Sequence, residues 1–235
     1  MLLNDCGYPP PVPSSHAVRA DRAHRGAALN RASKARVSSA QVGLGVTLTV
    51  LSFNESRRPM STIDTTRPFR PINIALATIS DTRTAANDTS GDILADRITT
   101  AGHVVQDRLI ITDDVPAITH VLRAWIADPQ VDAVVTTGGT GITGRDVTPE
   151  AFHAVIEKEI VGFGELFRWI SFKHIGSSTI QSRALGGVAA GTYLFALPGS
   201  NGACRDGWDE ILKWQFDGRH RPCNLVELMP RLQER

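Results

Sequence analysis

Between residues 71 and 216 the apolar positions fall into short runs that alternate with longer amphipathic stretches. The run Ile72-Asn73-Ile74-Ala75-Leu76-Ala77-Thr78-Ile79 is β-branched and nearly continuous before it breaks at Ser80-Asp81-Thr82, which predicts a strand covered on both faces. Asp88-Thr89-Ser90 then offers capping oxygens to a segment with Ile93, Leu94, Arg97, Ile98 and Ala101 at helical spacing, closed by Gly102. Residues 104–111 predict a second strand. Asp113 or Asp114 caps a second helix, in which Ile118, Val121, Leu122, Trp125 and Ile126 form one stripe before Pro129 ends it. Residues 131–137 predict a third strand. Thr148-Pro149-Glu150 gives a cap, a first-turn proline and an acid at the positive helix end, so a helix is expected over 149–159. Another follows over 163–172, where Phe163, Leu166, Phe167 and Ile170 share a face. Residues 182–189 and 192–197 read as strands joined by a tight turn at Ala190-Gly191, and a last helix over 203–216 groups Trp208, Ile211, Leu212 and Gln215.

Strands alternating with helices argue for an α/β sandwich on a mostly parallel sheet, with an antiparallel hairpin late in the order. Residues 1–70 do not share this patterning. They hold ten basic and four acidic side chains, which leaves 15 basic and 20 acidic in 71–235, although the whole chain of 235 residues is nearly neutral at +1. The neutral total gives no reason to expect nucleic acid or a membrane as partner. The leader is rich in Arg, Ala, Ser and Pro, a composition too poor in apolar surface to offset chain entropy, and disorder is expected there. Its one apolar stretch, residues 42–53, is too short to span a membrane and is interrupted by Gly43 and Gly45. Two readings remain for it: an Arg- and Ser-rich targeting extension, or an artefactual upstream start with translation beginning at Met60. The place where ordered patterning begins favours the second. Cys6, Cys204 and Cys223 give no disulfide framework and no Cys-x-x-Cys pair, which fits a reducing cytoplasm.

In open α/β sheets ligands gather at the carboxyl ends of the strands. The turn after the third strand reads Gly138-Gly139-Thr140-Gly141-Ile142-Thr143-Gly144-Arg145-Asp146. Three of its first four residues lack a Cβ, so the backbone can expose successive N–H groups to a phosphate; the plainer alternative is a sharp strand exit. The turn matches neither the dinucleotide Gly-x-Gly-x-x-Gly fingerprint nor a P-loop, which disfavours a nicotinamide oxidoreductase. Asp146 follows closely. A carboxylate beside a phosphate loop repels its ligand unless a cation intervenes, which points to Mg²⁺ and a nucleotide; the alternative is that Asp146 satisfies loop amides or pairs with Arg145. Asp113 is a second carboxylate at the same sheet edge, and alone it reads as a helix cap. Thr89 and Ser90 after the first strand, and Pro198-Gly199-Ser200 after the last, are turns at helix starts that can hold phosphate. Cys204 and Cys223 read as packing residues, since neither has a His partner nearby in sequence.

Taken in order, Asp88-Thr89-Ser90-Gly91, Thr137-Gly138-Gly139-Thr140-Gly141, the stretch from Asp146 to Glu150, Gly162-Phe163-Gly164-Glu165, Gln181-Ser182-Arg183-Ala184, Pro198-Gly199-Ser200 and Arg221-Pro222-Cys223-Asn224 resemble the molybdenum cofactor biosynthesis domain shared by MoaB and MogA. The resemblance spans residues 71–232, and nothing in the leader matches. It implies a three-layer α/β/α fold, a trimer or a dimer of trimers, a molybdopterin ligand at the sheet edge, and association with other molybdenum cofactor enzymes. It also implies the reaction of molybdopterin with ATP and Mg²⁺ to give adenylylated molybdopterin and pyrophosphate. Asp113 and Asp146 match that family's catalytic acids and would place Mg²⁺; Gly138, Gly139, Thr140 and Gly141 match its phosphate loop. Thr89, Ser90, Ser182, Arg183, Pro198, Gly199 and Ser200 would line the substrate. The turn Pro198-Gly199-Ser200-Asn201 follows the MoaB branch rather than the Pro-Gly-x-Pro of clear adenylyltransferases, which keeps a pterin-holding or scaffold protein without transfer as the alternative.

Overall fold

The computed structural model describes residues 36–42, 46–52 and 62–234. The chain divides into two units, residues 1–62 and 63–235. In the first, Arg36–Val42 and Val46–Ser52 pair as an antiparallel two-stranded sheet. Val46-Thr47-Leu48-Thr49-Val50 alternates apolar and polar positions at the strand period, and pairing satisfies the backbone groups. Met60 and the other residues of 1–61 outside these two strands lie outside the described residues.

The second unit begins earlier than the composition suggests. Residues 63–70 are tied into it: the Asp64 N–H donates to the Arg219 carbonyl at 2.8 Å, Arg67 pairs with Glu227, and the Arg219 guanidinium lies 5.0 Å over the Phe69 ring. These anchors are isolated contacts, too sparse to register as a pattern.

Six strands make the central sheet: β1 (Asn73–Ile79), β2 (Val104–Ile111), β3 (Ala133–Thr137), β4 (Lys158–Glu159), β5 (Leu185–Ala189) and β6 (Thr192–Leu197). Their order is β2-β1-β3-β6-β5-β4. The first three pairings are parallel and the last two antiparallel. The helices are α1 (Thr89–Thr100), α2 (Val115–Ala127), α3 (Thr148–His153), α4 (Val161–Ile175) and α5 (Asn201–Gly207), the last running on through a wide turn at Trp208–Leu212.

Strand alternation sorts the core into two layers. On one face Ile74, Leu76, Val135 and Phe195 meet Leu94 and Ile98 of α1, Phe163 and Phe167 of α4, and Trp208. On the other Ala75, Ala77, Val134 and Leu194 meet Ile118, Leu122 and Trp125 of α2 and Phe152 of α3. Both faces of the sheet are thus buried, which is why β1 and β3 read as continuous apolar runs. The result is a three-layer α/β/α sandwich.

Two boundaries differ from the sequence reading. The helix expected over 149–159 stops at His153, and the chain instead adds β4 to the free edge of β5. The Glu157 N–H donates to the Val188 carbonyl at 2.8 Å, so an exposed strand edge outcompetes further helix. The strand expected from 182 begins at Leu185. Capping resolves the Asp113/Asp114 alternative: the Asp114 carboxylate accepts the Ala117 N–H at 2.9 Å and leaves Asp113 free of that task.

His103 ties the start of β1 to the C-terminal segment. Its Nδ1 accepts the Ile72 N–H at 3.3 Å, and its ring packs on Phe69, Trp208 and Phe216. Burial pushes its pKa down, against a smaller upward pull from Asp217. The unfolded chain therefore takes up a proton at this side chain before the folded one does, so stability is intact above the unfolded pKa of about 6.5 and falls as pH drops below it. The urea midpoint should fall between pH 7 and pH 5, and His103→Gln should flatten that slope.

Candidate functional site

Strands β2 and β3 flank β1 on opposite sides, so the strand order reverses between β1 and β3 and a crevice opens at their carboxyl ends. The glycine turn leaves β3 at this point. Gly138 takes φ +105°, its N–H donates to the Leu197 carbonyl at 2.9 Å, and a Cβ there would stand 2.2 Å from the Ile79 carbonyl oxygen. Gly199, in the turn after β6, comes against it: a Cβ on Gly199 would lie 3.2 Å from the Gly138 Cα.

The turn is gripped by its carbonyls. Thr148 Oγ1 donates to Gly138 O at 2.9 Å, the Thr148 N–H to Gly139 O at 3.0 Å and the Arg183 N–H to Thr140 O at 2.9 Å. Arg183 Nε donates to Gly141 O at 2.6 Å. Among the described residues the N–H groups of Gly139 and Thr140 have no partner. Two backbone donors are therefore open in a loop whose acceptors are all taken, the arrangement that holds an anion.

Two carboxylates bracket the turn. A Cβ on Gly139 would lie 2.9 Å from Asp113 Oδ1, and one on Gly141 would lie 2.7 Å from Asp146 Oδ2. Burial raises the Asp113 pKa, and the charges of Asp81 and Asp146 add to the rise while an Asp81 amide and Arg145 oppose it. Asp146 moves the other way: burial pushes it up, but the hydroxyl and amide of Thr143, the Gly141 amide and Arg183 outweigh that and hold it below the ordinary value. Thr143 N and Oγ1 donate to Asp146 Oδ2 at 2.8 and 2.6 Å. Of the sequence alternatives for Asp146, the loop-amide contacts are present, whereas Arg145 pairs with Asp81 instead.

Asp81 is the residue that sequence reasoning missed, having been read only as the break after the first strand. Its Oδ1 accepts the Asp113 N–H at 3.1 Å while Asp113 Oδ2 accepts the Asp81 N–H at 3.0 Å. This reciprocal clasp holds the exits of β1 and β2 together. The Arg145 guanidinium draws the Asp81 carboxyl below its ordinary value. No local motif marks such a pair, because its members are 32 residues apart.

A cleft of about 180 Å³ opens beside the turn, lined by Thr140, Gly141, Phe167, Ser182, Pro198 and Ser200 among others. Five of the sequence-predicted residues thus meet there. Thr89, at the start of α1, donates to Asn201 Oδ1 at 3.1 Å and so faces the start of α5. Ser90 is buried and its hydroxyl turns to Asp88 at 3.4 Å. Arg183 is also occupied differently from the expectation, since its guanidinium bonds the carbonyls of Gly141 and Asp146 and the carboxylate of Glu150. It positions the loop. Ser200 caps α5 by accepting the Ala203 N–H at 3.2 Å. Pro198 offers its carbonyl to Thr137 Oγ1 at 3.0 Å. Cys204 is buried with its thiol pushed up to about 11 by burial, a packing residue as expected.

Comparison with known proteins agrees with this geometry. Residues 75–217 match the model of the probable molybdopterin binding domain. The molybdenum cofactor biosynthesis protein B of Escherichia coli K12 is 48% identical over 157 residues, covering 67% of this chain and 92% of that protein. Its Bacillus cereus namesake is 46% identical over 144 residues, 61% and 85% of the two chains. A crystal structure of a molybdenum cofactor biosynthesis protein B superposes with a TM-score of 0.65 at 40% identity, covering 72% of this chain and all of that one. A tungsten cofactor synthesizing MoaB from Pyrococcus furiosus superposes with a TM-score of 0.56 at 28% identity, covering 70% of this chain and 99% of that one. With its glycine turn at the sheet's reversal point and this match over most of the second unit, the chain belongs to the molybdenum cofactor biosynthesis family of MoaB and MogA.

Proposed function

We propose that this member of the family adenylylates molybdopterin, with ATP as the second substrate and Mg²⁺ as the metal. The terminal phosphate of molybdopterin attacks the α-phosphorus of ATP; a P–O bond forms to the pterin phosphate as the bond to the β-phosphate oxygen breaks, and pyrophosphate leaves with that electron pair. The observation that supports it is the pair of open amides at Gly139 and Thr140, set between Asp113 and Asp146 beside a cleft.

Joining two polyanions demands alignment and charge neutralisation more than acid–base chemistry. The open amides meet phosphate oxygens, and Arg183, by fixing three acceptors of the loop, keeps those amides in place. Asp113 and Asp146 would hold Mg²⁺, which when bound neutralises phosphate charge. The donor set fits such an ion. Asp113 is crowded by like charge, and among the described residues no three potential metal ligands cluster, so phosphate and water oxygens would complete the shell, as is usual for Mg²⁺. Assembly as a homo-oligomer of three or six, contact with other molybdenum cofactor enzymes and a cytoplasmic location belong to the same proposal; among the described residues no helix is long and apolar enough to cross a membrane.

The test is pyrophosphate release on incubating the full chain with molybdopterin, ATP and Mg²⁺. Asp146→Asn keeps the acceptor that Thr143 bonds, so the loop should hold while release slows about a hundredfold. The Asp146 contacts with Thr143 and Gly141 are also what a loop strut in a pterin-holding module would show. Wild-type protein that binds molybdopterin yet releases no pyrophosphate would decide for that module.

A further inference from the structure

Past the Ile79–Ile111 pair, the Ser80 N–H still donates to the Ile111 carbonyl at 2.8 Å. Beyond that bond, side chains take over the pairing of β1 with β2. Asp81 Oδ1 accepts the Asp113 N–H at 3.1 Å while Asp113 Oδ2 accepts the Asp81 N–H at 3.0 Å, so a closed ring of hydrogen bonds fixes both carboxylates. Each commits one oxygen to the ring and keeps the other.

The two remaining oxygens face different things. Asp81 Oδ2 accepts the Arg145 guanidinium, which has no other hydrogen-bond partner among the described residues. Asp113 Oδ1 takes no hydrogen bond among them and stands 2.9 Å from where a Cβ on Gly139 would lie, beside an amide that is itself open. The ring therefore leaves Asp113 one unengaged oxygen, placed at the anion-holding turn. Arg145 directly precedes Asp146 in the chain, so the Asp81 carboxylate that orients Asp113 also ties down the loop that carries Asp146.

We propose that Asp81 is a positioning residue: it turns Asp113 so that Oδ1 alone faces the metal and the phosphates, and through Arg145 it holds the Asp146 loop in place opposite that oxygen. Asp81 has this role only if Asp113 and Asp146 hold Mg²⁺ as proposed for the reaction. Both of its own oxygens are taken, so it acts through Asp113. A hydrogen-bonded partner behind a metal-holding side chain is worth about ten- to a hundredfold in metal affinity. Its geometry carries that effect more than its charge, because the Arg145–Asp81 pair is 68% and 38% exposed on its two sides and an exposed pair contributes little.

Mn²⁺ favours the same octahedral oxygen shell as Mg²⁺, so the test is the affinity of the full chain for Mn²⁺·ATP, read from water-proton relaxation and needing no turnover. Two variants separate aim from charge. Asp81→Asn keeps an acceptor at the same reach for the Asp113 N–H and loses only the charge, so it should bind within about threefold of wild type. Asp81→Glu keeps the charge and the Arg145 pair, but its longer stem breaks the ring, so it should bind about tenfold more weakly. ATP in EDTA, without a divalent cation, should bind all three proteins alike. That order supports the proposal. Asp81→Asn as weak as Asp81→Glu or weaker, or an equal loss with metal-free ATP, would overturn it. Asp113→Asn supplies the reference. If it loses Mn²⁺·ATP while both Asp81 variants keep wild-type affinity, the positioning role falls and the part given to Asp113 stands. If wild type binds no Mn²⁺·ATP, or Asp113→Asn binds it unimpaired, the part given to Asp113 falls and the role of Asp81 with it. Circular dichroism checks that each variant is folded.

Discussion

Gly138→Ala should lower the urea midpoint so far that about 4 kcal/mol of stability is lost. Two costs combine. At φ +105° a Cβ-bearing residue is strained wherever it sits. In addition the new methyl would stand 2.2 Å from the Ile79 carbonyl oxygen, which is backbone. Ile79 ends β1 in parallel register with Ile111 of β2, so moving its carbonyl disturbs the central pairing of the sheet. Gly162→Ala, in the first turn of α4 with nothing within 4 Å of the new methyl, is the control and should be neutral or slightly stabilising. Equal midpoints for the two variants would remove the steric account of the turn.

Asp88→Ala should cost about 3 kcal/mol. Asp88 is wholly buried, and one carboxylate bonds Thr78 Oγ1 at 2.8 Å, the Gly91 N–H at 3.0 Å and Arg108 at 2.8 Å. Truncation removes the N-cap of α1 and leaves the Thr78 hydroxyl and the Arg108 guanidinium without their buried partner. The figure sits at the lower end for a broken ion pair because the Arg108 side chain is 32% exposed and keeps Asp92 at 2.8 Å. Burial pushes the Asp88 pKa up, but Arg108, Gly91 and Thr78 together carry it below the ordinary value. A depressed carboxylate gives stability that is complete above its unfolded pKa of about 3.9 and is lost as pH falls through the folded value. The wild-type and Asp88→Ala unfolding curves should therefore differ most near neutrality and converge in strong acid. A constant gap down to the lowest pH would assign the effect to the cavity and cap alone.

Much of this architecture is legible in the chain. Strands buried on both faces announce themselves as β-branched runs, and the helix starts at Asp88 and Asp114 carry their capping carboxylates in plain view. The turns at strand exits were equally visible, since few sequences place three glycines in four positions. What escaped was whatever depends on distant partners. The end of α3 at His153 is set by the open edge of β5, some thirty residues on. The guanidinium of Arg183 reads as a phosphate ligand until the fold supplies it with three acceptors. Ser90 looks like one more hydroxyl at a helix start, yet its rotation toward buried Asp88 follows from a carboxylate that the core already holds. Asp81 had no distinguishing neighbour at all.

The contact between Gly138 and Gly199 joins two bends that lie 61 residues apart with no side chain to cushion them. Because Gly138 also bonds the Leu197 carbonyl, the segment after β3 and the segment after β6 behave mechanically as one part. Whatever grips the first bend must tug on the second and on the start of α5 behind it, so the two walls of the cleft respond in concert rather than adjusting one at a time.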